Sequence, residues 1–351
     1  MSRTAFKRDI DNPKTVTDFT DVVQSPERLR MLLVLTHADI HAVGPGIWNA
    51  WKSGLLRELY YRALEEMEMT AGQPVQRRTQ RVERAQARLR ERLSDWQEEI
   101  RERYIARGYS DYWLAFDADT HVRHFNLMRE AEAEQRSLRI ETFQDPERGV
   151  TEIIIYAPDH PGLFARIAGA IALGGASIVD AKIMTLANSM ALDTFSIQKP
   201  DGGPVDSPGR IRKLSSRIEE AIVGRLHTAR ELEAGRARAL PSRTRVFKVP
   251  PAVFFDNKAS RNHTVIEVNG RDRVGFLHDI TSTLTGLGLQ IVSAHISTYG
   301  ERVVDVFYVK DVFGLKVEQE VKLERIEQQL LEAIKPPEAK PSTEPESAAA
   351  E

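Results

Sequence analysis

The chain of 351 residues contains no cysteine. This excludes disulfides, thiol nucleophiles and cysteine-ligated zinc or iron–sulfur centres, and it fits a reducing cytoplasm. No apolar run approaches the ~20 residues that a membrane-spanning helix needs. The first residues, MSRTAFKRDIDNPKT, lack the apolar core of a signal peptide. An excess of one charge is missing too: 49 basic residues face 51 acidic ones. No global attraction to nucleic acid or to an anionic membrane is therefore expected. Residues 336–351 are rich in proline and charge and nearly free of large apolar side chains. Such a segment cannot offset its own ordering entropy and reads as a disordered tail.

What the chain does have is a repeat. TEIIIYAPDHPGLFARIAGAI begins at Thr151, and TVIEVNGRDRVGFLHDITSTL begins at Thr264, an offset of 113 residues. At that offset Asp159 matches Asp272, Gly162 matches Gly275, Ile178 matches Ile291 and Ala181 matches Ala294. One residue is then lost, and Asp193-Thr194-Phe195 matches Asp305-Val306-Phe307. A period this long denotes two copies of one small domain rather than a solenoid. A shared face between two copies is a natural place for a small ligand.

Each copy opens with a β-rich run, 152–156 or 265–268. A loop follows, and then a helical pattern with Leu163, Phe164, Ile167 and Ile171 in the first copy and Phe276, Leu277, Ile280 and Leu284 in the second. Glycines at 174–175 and at 286 and 288 stop that helix. Two further β-rich runs come next, 177–185 with 190–197 and 289–298 with 302–309, each pair joined tightly enough for a hairpin. A second amphipathic helix covers 211–226 or 323–334. The segment 243–249 would add a last strand to the first copy and complete β-α-β-β-α-β. In the second copy 316–321 reads as an irregular connection, so its fourth strand is missing or supplied from elsewhere. The expected class is α+β, with a helical N-terminal region and two ferredoxin-like βαββαβ domains.

This order, with Asp-x-x-Gly between first strand and first helix, resembles the ACT domain, a regulatory module that binds amino acids. The resemblance covers about 150–255 and 262–335. The family's loop reads D-x-P-G-[LI]. It is intact as Asp159-His160-Pro161-Gly162-Leu163, whereas Asp272-Arg273-Val274-Gly275-Phe276 carries valine in place of proline. These ten residues are the candidate ligand-binding set, and the first loop is the stronger of the two. Each aspartate stands where an N-cap belongs, and each glycine, having no Cβ, admits a close backbone or ligand. The free N–H groups of the helix start can receive a carboxylate. Capping and ligand contact are compatible roles.

Upstream, 31–40 reads as a buried helix, Gly44-Pro45-Gly46 as a break, and Trp48, Trp51, Leu55, Leu56, Leu59 and Tyr60 as the apolar stripe of a second helix. His37-x-Asp39-x-His41 invites a metal site, but on a helix Asp39 points about 200° away from His37. A longer pattern at 36–52, T-x-A-D-I-x-A-V-G-P-G-x-W-N-x-W-K, looks like the last part of the HD hydrolase domain of the bifunctional PII uridylyltransferase/uridylyl-removing family, in which tandem ACT domains follow at the C-terminus. By that resemblance Asp39 is a remnant metal ligand of an incomplete site. No catalytic set is complete: nothing before Thr36 matches the family's nucleotidyltransferase domain, and the one adjacent His-Asp pair, His278-Asp279, lies in a repeat helix. One aspartate does not hold a catalytic metal. The chain is thus expected to be the C-terminal part of such an enzyme and not catalytic alone.

Between 76 and 107 charge is dense, with seven arginines from Arg77 to Arg92. Val82, Ala85, Leu89, Leu93, Trp96 and Ile100 nevertheless form an apolar stripe at three- and four-residue steps. This predicts one long helix with a solvated basic face, a link between hydrolase and sensor rather than a nucleic-acid site. Residues 109–126 carry no assignable chemistry. The expected divisions are 1–70 (end of an HD domain), 71–145 (charged helical linker), 150–255 and 262–335 (ACT domains) and 336–351 (tail). The resemblance implies glutamine as effector, the PII signal protein as partner of the intact enzyme, and no cofactor in this chain alone. Magnesium or another divalent cation would serve the intact enzyme, and the ACT units would pair within or between chains. The alternatives are a ligand-free ACT dimerisation module and a residual HD phosphodiesterase acting on uridylylated PII.

Overall fold

The two repeats build one continuous antiparallel sheet. The computed structural model describes residues 1–43, 48–68, 74–238, 250–299 and 302–335. The N-terminal helices are α1 (Ser2–Lys7), α2 (Pro13–Val23), α3 (Pro26–Val43) and α4 (Ala50–Glu68). Next come α5 (Pro74–Arg92), α6 (Glu98–Ile105), α7 (Ser110–Ala115) and α8 (Ala118–Ala133). The first repeat comprises β1 (Arg139–Asp145), β2 (Val150–Pro158), α9 (Leu163–Leu173), β3 (Ser177–Lys182), β4 (Met190–Gln198) and α10 (Pro208–Ile222), followed by α11 (Thr228–Arg238). The second comprises β5 (Ala252–Phe255), β6 (Thr264–Arg271), α12 (Phe276–Gly286), β7 (Gln290–Tyr299), β8 (Arg302–Lys310) and α13 (Glu320–Ile334).

The strand order is β1-β2-β4-β3-β7-β8-β6-β5, which reads the same from either repeat outward. Each repeat is the expected four-stranded ferredoxin-like sheet, but its edge strand comes from the other end of the unit. β1 pairs with β2, and β5 with β6, through connections from the N-terminal side. A strand that turns straight back into its neighbour is antiparallel to it, as the edge position requires, and the short loop closes at little entropic cost. The expected last strand at 243–249 lies outside the described residues, as do the 44–46 break and the 336–351 tail.

The two repeats join at β3 and β7, with Ala181 opposite Ala294, Asp180 opposite His295 and Lys182 opposite Ser293. Ala181 and Ala294 are equivalent positions of the repeat, and the 113-residue offset exchanges the two flanking pairs, taking Asp180 to Ser293 and Lys182 to His295. A local two-fold axis therefore passes between the two alanines. Sheet alternation divides the sides. Ile153, Ile155 and Ala157 face the core under α9 and α10, together with Ile266, Val268 and Phe307 of the second repeat. Ile154, Tyr156 and Leu192 face a second core built by Leu89, Trp96, Trp113 and Phe125 of α5–α8. Both faces of β2 are buried, so its continuous apolar run has a physical reason. A third core holds Phe6, Phe19, Leu29, Leu56 and Leu59 of α1–α4.

Three expectations change. The long charged helix is two helices, broken at 93–97, because Leu93 and Trp96 both enter the core with Tyr104 and Phe125. Its basic face is not merely solvated: Arg78 pairs with Asp111, Arg81 with Glu66 and Arg90 with Glu102. Residues 31–40 are helical, but Met31, Val34 and Leu35 are exposed, since three- and four-residue spacing puts them on the face of α3 turned away from Leu29 and Ile40. Residues 109–126 contribute Tyr112, Trp113, His121 and His124 to the core.

Candidate functional site

The two loops place glycine, not aspartate, at the helix start. Gly162 (φ 84°) is the N-cap of α9 and Gly275 (φ 80°) that of α12, both left-handed and neither with a side-chain cap. A residue with a Cβ is strained there, so this geometry accounts for both glycines. The expected capping role of Asp159 and Asp272 is thereby corrected, because the chain turns through three more residues before the helix begins. The Asp159 carboxylate instead accepts from the Thr185 hydroxyl at 2.6 Å. Of its neighbours, His160 lies against the Pro161 carbonyl (Nδ1 to O 3.0 Å), Pro161 is exposed and Leu163 is buried.

The second loop is held from outside. Arg273 pairs with Asp279 and donates to the Ala333 carbonyl at 2.8 Å, while its guanidinium lies over the Phe276 ring. Arg236 of α11 donates to the Val274 carbonyl at 3.1 Å and pairs with Asp279 at 2.9 Å. Burial would raise the Asp279 carboxyl, but the His278 hydrogen bond and these two arginines hold it down to about 2. His278-Asp279 is thus a structural pair, as its place in a repeat helix implied. Phe276 is buried, and a Cβ at Gly275 would lie 2.6 Å from the Arg236 guanidinium.

A cavity of about 350 Å³ lies between this second loop and the first repeat. Asp272–Phe276 form one wall, Ala168, Ile171 and Ala172 of α9 with Gly175 just past its end another, and Ile296, Val303 and Asp305 of β7 and β8 a third. The two-fold axis relates Ala168 to Thr281, Ala172 to Thr285 and Ala176 to Leu289. The helix facing the first loop therefore carries larger side chains than the helix facing the second. Thr285 is already in range of the first loop, 3.8 Å from where a Cβ on Gly162 would stand. The cavity sits on the side where the facing residues are alanines, at the loop without the proline.

Behind each loop lies a buried carboxyl. Asp193 and Asp305 occupy equivalent strand positions and are 1% and 0% exposed. Burial raises both pKa values well above the usual range, and the charges of Asp159 and Asp272, respectively, push the same way. One Asp193 oxygen accepts from the Met184 N–H at 3.3 Å. Neither Asp305 oxygen has a well-formed hydrogen bond among the described residues, although the nearby Ser297 amide favours its charged form.

A polar knot covers the seam on the opposite face of the sheet. Asp11 pairs with both Arg62 of α4 and Lys182 of β3. His295 of β7 bonds Asp180 (2.7 Å), the Asp9 amide donates to the Tyr308 hydroxyl (2.8 Å), and Ser293 donates to Asp9 (3.3 Å). Burial opposes charge on Lys182, but Asp11 and Asp180 prevail and raise it to about 12. Burial is likewise overcome at Asp11, which Arg62 and Lys182 hold below the usual range, and at His295, which Asp180 raises. Asp9 is raised by burial and by Asp11. A second cavity of about 410 Å³ opens beside this knot, between Asp11, Arg78, Asp111, Lys182 and His263.

Asp39 is exposed on α3, and the His37 and His41 rings pack on each other and on Trp48, with centroids 4.5–5.3 Å apart. Among the described residues no group of three His, Asp or Glu side chains could hold a metal ion. No helix among them is long and apolar enough to cross a membrane.

Residues 259–335 match the ACR family N-terminal ACT domain. The bifunctional uridylyltransferase/uridylyl-removing enzyme of Azospirillum brasilense is 54% identical over 340 residues, 97% of this chain and 36% of that protein. Its counterparts in Rhodospirillum rubrum and Gluconobacter oxydans are 49% and 48% identical, each over 95% of this chain and 35% of their own length. The chain belongs to this family, as its C-terminal part. It spans about a third of the length of these relatives.

Within this part of a uridylyltransferase/uridylyl-removing enzyme, sequence reasoning missed Asp193 and Asp305 as site residues. Their signal was present: an aspartate falls on the core-facing alternation of an apolar strand, between Val303 and Phe307 in one copy and between Ala191 and Phe195 in the other. It also missed the Asp9–Lys182–His295 knot, whose members lie far apart in the chain and carry no common spacing.

Proposed function

We propose that this chain is the amino-acid-sensing, regulatory end of a PII uridylyltransferase/uridylyl-removing enzyme, with glutamine as its effector. The supporting observation is the cavity at the junction of the two ACT-like units, walled by the loop 272–276 of one and helix α9 of the other. A ligand there touches both repeats, so its affinity depends on how they sit together. In this reading glutamine suppresses uridylyl transfer to PII and favours removal of the group, and the enzyme acts in the cytoplasm. The catalytic steps, with their divalent cation, belong to the intact enzyme, and residues 1–70 with Asp39 are the end of its HD hydrolase domain.

A sensor of an abundant metabolite needs only weak binding, and a millimolar dissociation constant corresponds to about −4 kcal/mol. To move the catalytic parts, glutamine must distinguish two arrangements by about 1–3 kcal/mol. Titration calorimetry tests the reading. Glutamine is expected to bind the wild-type chain, and Gly275→Val, which strains the left-handed N-cap, is expected to abolish binding. Absence of heat with any of the twenty amino acids would leave a ligand-free pairing module.

A further inference from the structure

We infer that Asp305 is the acceptor for the ligand's α-ammonium group, and so the residue that restricts the cavity to amine-bearing amino acids. This rests on the sensing reading above and adds the atom that recognises the ligand. Asp305 lines the cavity yet is wholly shielded from bulk water, so its carboxyl closes the inner end. Both of its oxygens lack a well-formed partner among the described residues. A buried carboxyl without donors is costly, and native structures fill such positions with a partner.

The surroundings name that partner's charge. Asp272 stands in the same wall and adds a second negative charge to the field at Asp305. The arginines beside the loop do not supply the missing cation, because Arg236 and Arg273 are both engaged with Asp279. A cationic donor entering from the cavity would meet two carboxyls, while the guanidinium in the wall, Arg273, is neutralised by Asp279. The opposite polarity is also present. The first turn of α12 begins in the loop, and its free N–H groups carry partial positive charge toward an anion. Ile171, Ile178, Ile296 and Val303 line the space between and suit an aliphatic stem. An ammonium site, a carboxylate site and an apolar wall together describe a zwitterionic α-amino acid.

The first repeat supplies a built-in contrast. Asp193 holds the equivalent position and takes the Met184 N–H at 3.3 Å, whereas the equivalent amide, that of Ser297, makes no well-formed bond to Asp305. The helix facing that loop also carries Thr281 and Thr285 where α9 has alanines. The amine-reading role therefore falls to Asp305.

The test compares L-glutamine with 4-carbamoylbutanoate, the same molecule without its amino group, by calorimetry on the wild-type chain and on Asp305→Asn. Glutamine is expected to bind the wild type at least tenfold more tightly than the deaminated analogue. Asp305→Asn should lose at least tenfold in glutamine affinity while its affinity for the analogue stays within a factor of two or three, a split that general damage to the cavity would not produce. If the analogue binds the wild type as well as glutamine does, or if the variant binds glutamine unchanged, the inference fails while the sensing reading stands. If no amino acid binds the wild type, both fail together. Should Asp305→Asn not fold, the two-ligand comparison on the wild type decides alone.

Discussion

The first repeat keeps the family's loop proline, yet the cavity lies at the second, which has lost it. The loops themselves differ little, since both helices start from a left-handed glycine at nearly the same φ. What differs is the surface each loop faces. The second loop meets Ala168 and Ala172, and the first meets Thr285, the counterpart of Ala172. Room beside the second loop is thus set by the partner repeat, whose facing residues the loop motif does not encode. The seam shows the same kind of divergence. Around the two-fold axis Lys182 is equivalent to His295 and Asp180 to Ser293, so related positions present different charges to Asp9 and Asp11.

The comparison can be broken most forcefully at that seam. Lys182→Met removes the cation that Asp11 and Asp180 share while leaving the apolar stem. Stranding a buried partner costs about 3–5 kcal/mol. The lower end is expected, because 18% of the Lys182 side chain stays exposed. Chemical denaturation should show the loss as a lower midpoint, and an unchanged midpoint would mean the knot is not holding the seam. The knot also sets a pH dependence. His295 has a raised folded pKa, so its stabilising effect is complete below the unfolded histidine value of about 6.5 and is lost as pH rises through the folded value. His295→Asn should flatten the melting curve's fall over that range.

A smaller effect would exchange the two sites. Ala172→Thr copies the first loop's surroundings onto the second and should weaken glutamine binding by about tenfold, or ~1.4 kcal/mol. Thr285→Ala makes the reciprocal opening at Gly162. Should Ala172→Thr bind glutamine normally, the ligand is not in this cavity.

Asp193 sharpens the contrast between the two buried carboxyls. A carboxyl whose folded pKa is raised contributes stability that is fully present below the unfolded value of about 3.9 and is lost as pH rises through the folded one. Asp193→Asn should therefore gain on the wild type at pH 8 relative to pH 4, by about 1 kcal/mol, in scanning calorimetry without ligand. Equal effects at both pH values would mean that the carboxyl is not held neutral. The least effect is expected from Val274→Pro, which gives the second loop the first loop's proline. Val274 is exposed, and presetting its φ should add about 0.4–1 kcal/mol, read as a small rise in melting temperature.

Much of the fold was legible because its signals are local. The helical spacing of Leu163, Ile167 and Ile171, and of Leu323, Ile326 and Leu330, appears in the helices α9 and α13. Both hairpins appear as well, with Ser189 adopting a left-handed turn at the tip of the first. The break at 93–97 was not legible, since Leu93 and Trp96 continue the helical spacing and leave the helix only because the core beneath the sheet receives them both. Nor was the origin of the edge strands. 139–145 and 252–255 are short segments without a marked pattern, and they become strands because β2 and β6 offer unpaired backbone beside them.

By itself the sequence determined that there are two copies of one α+β unit and where their helices and hairpins fall. Those properties depend on neighbours a few residues apart. Only the tertiary structure decided that Ala181 meets Ala294, that the N-terminal segment ties down the seam through Asp9 and Asp11, and that the open cavity belongs to the second loop. Each of these depends on which side chains distant parts of the chain bring face to face.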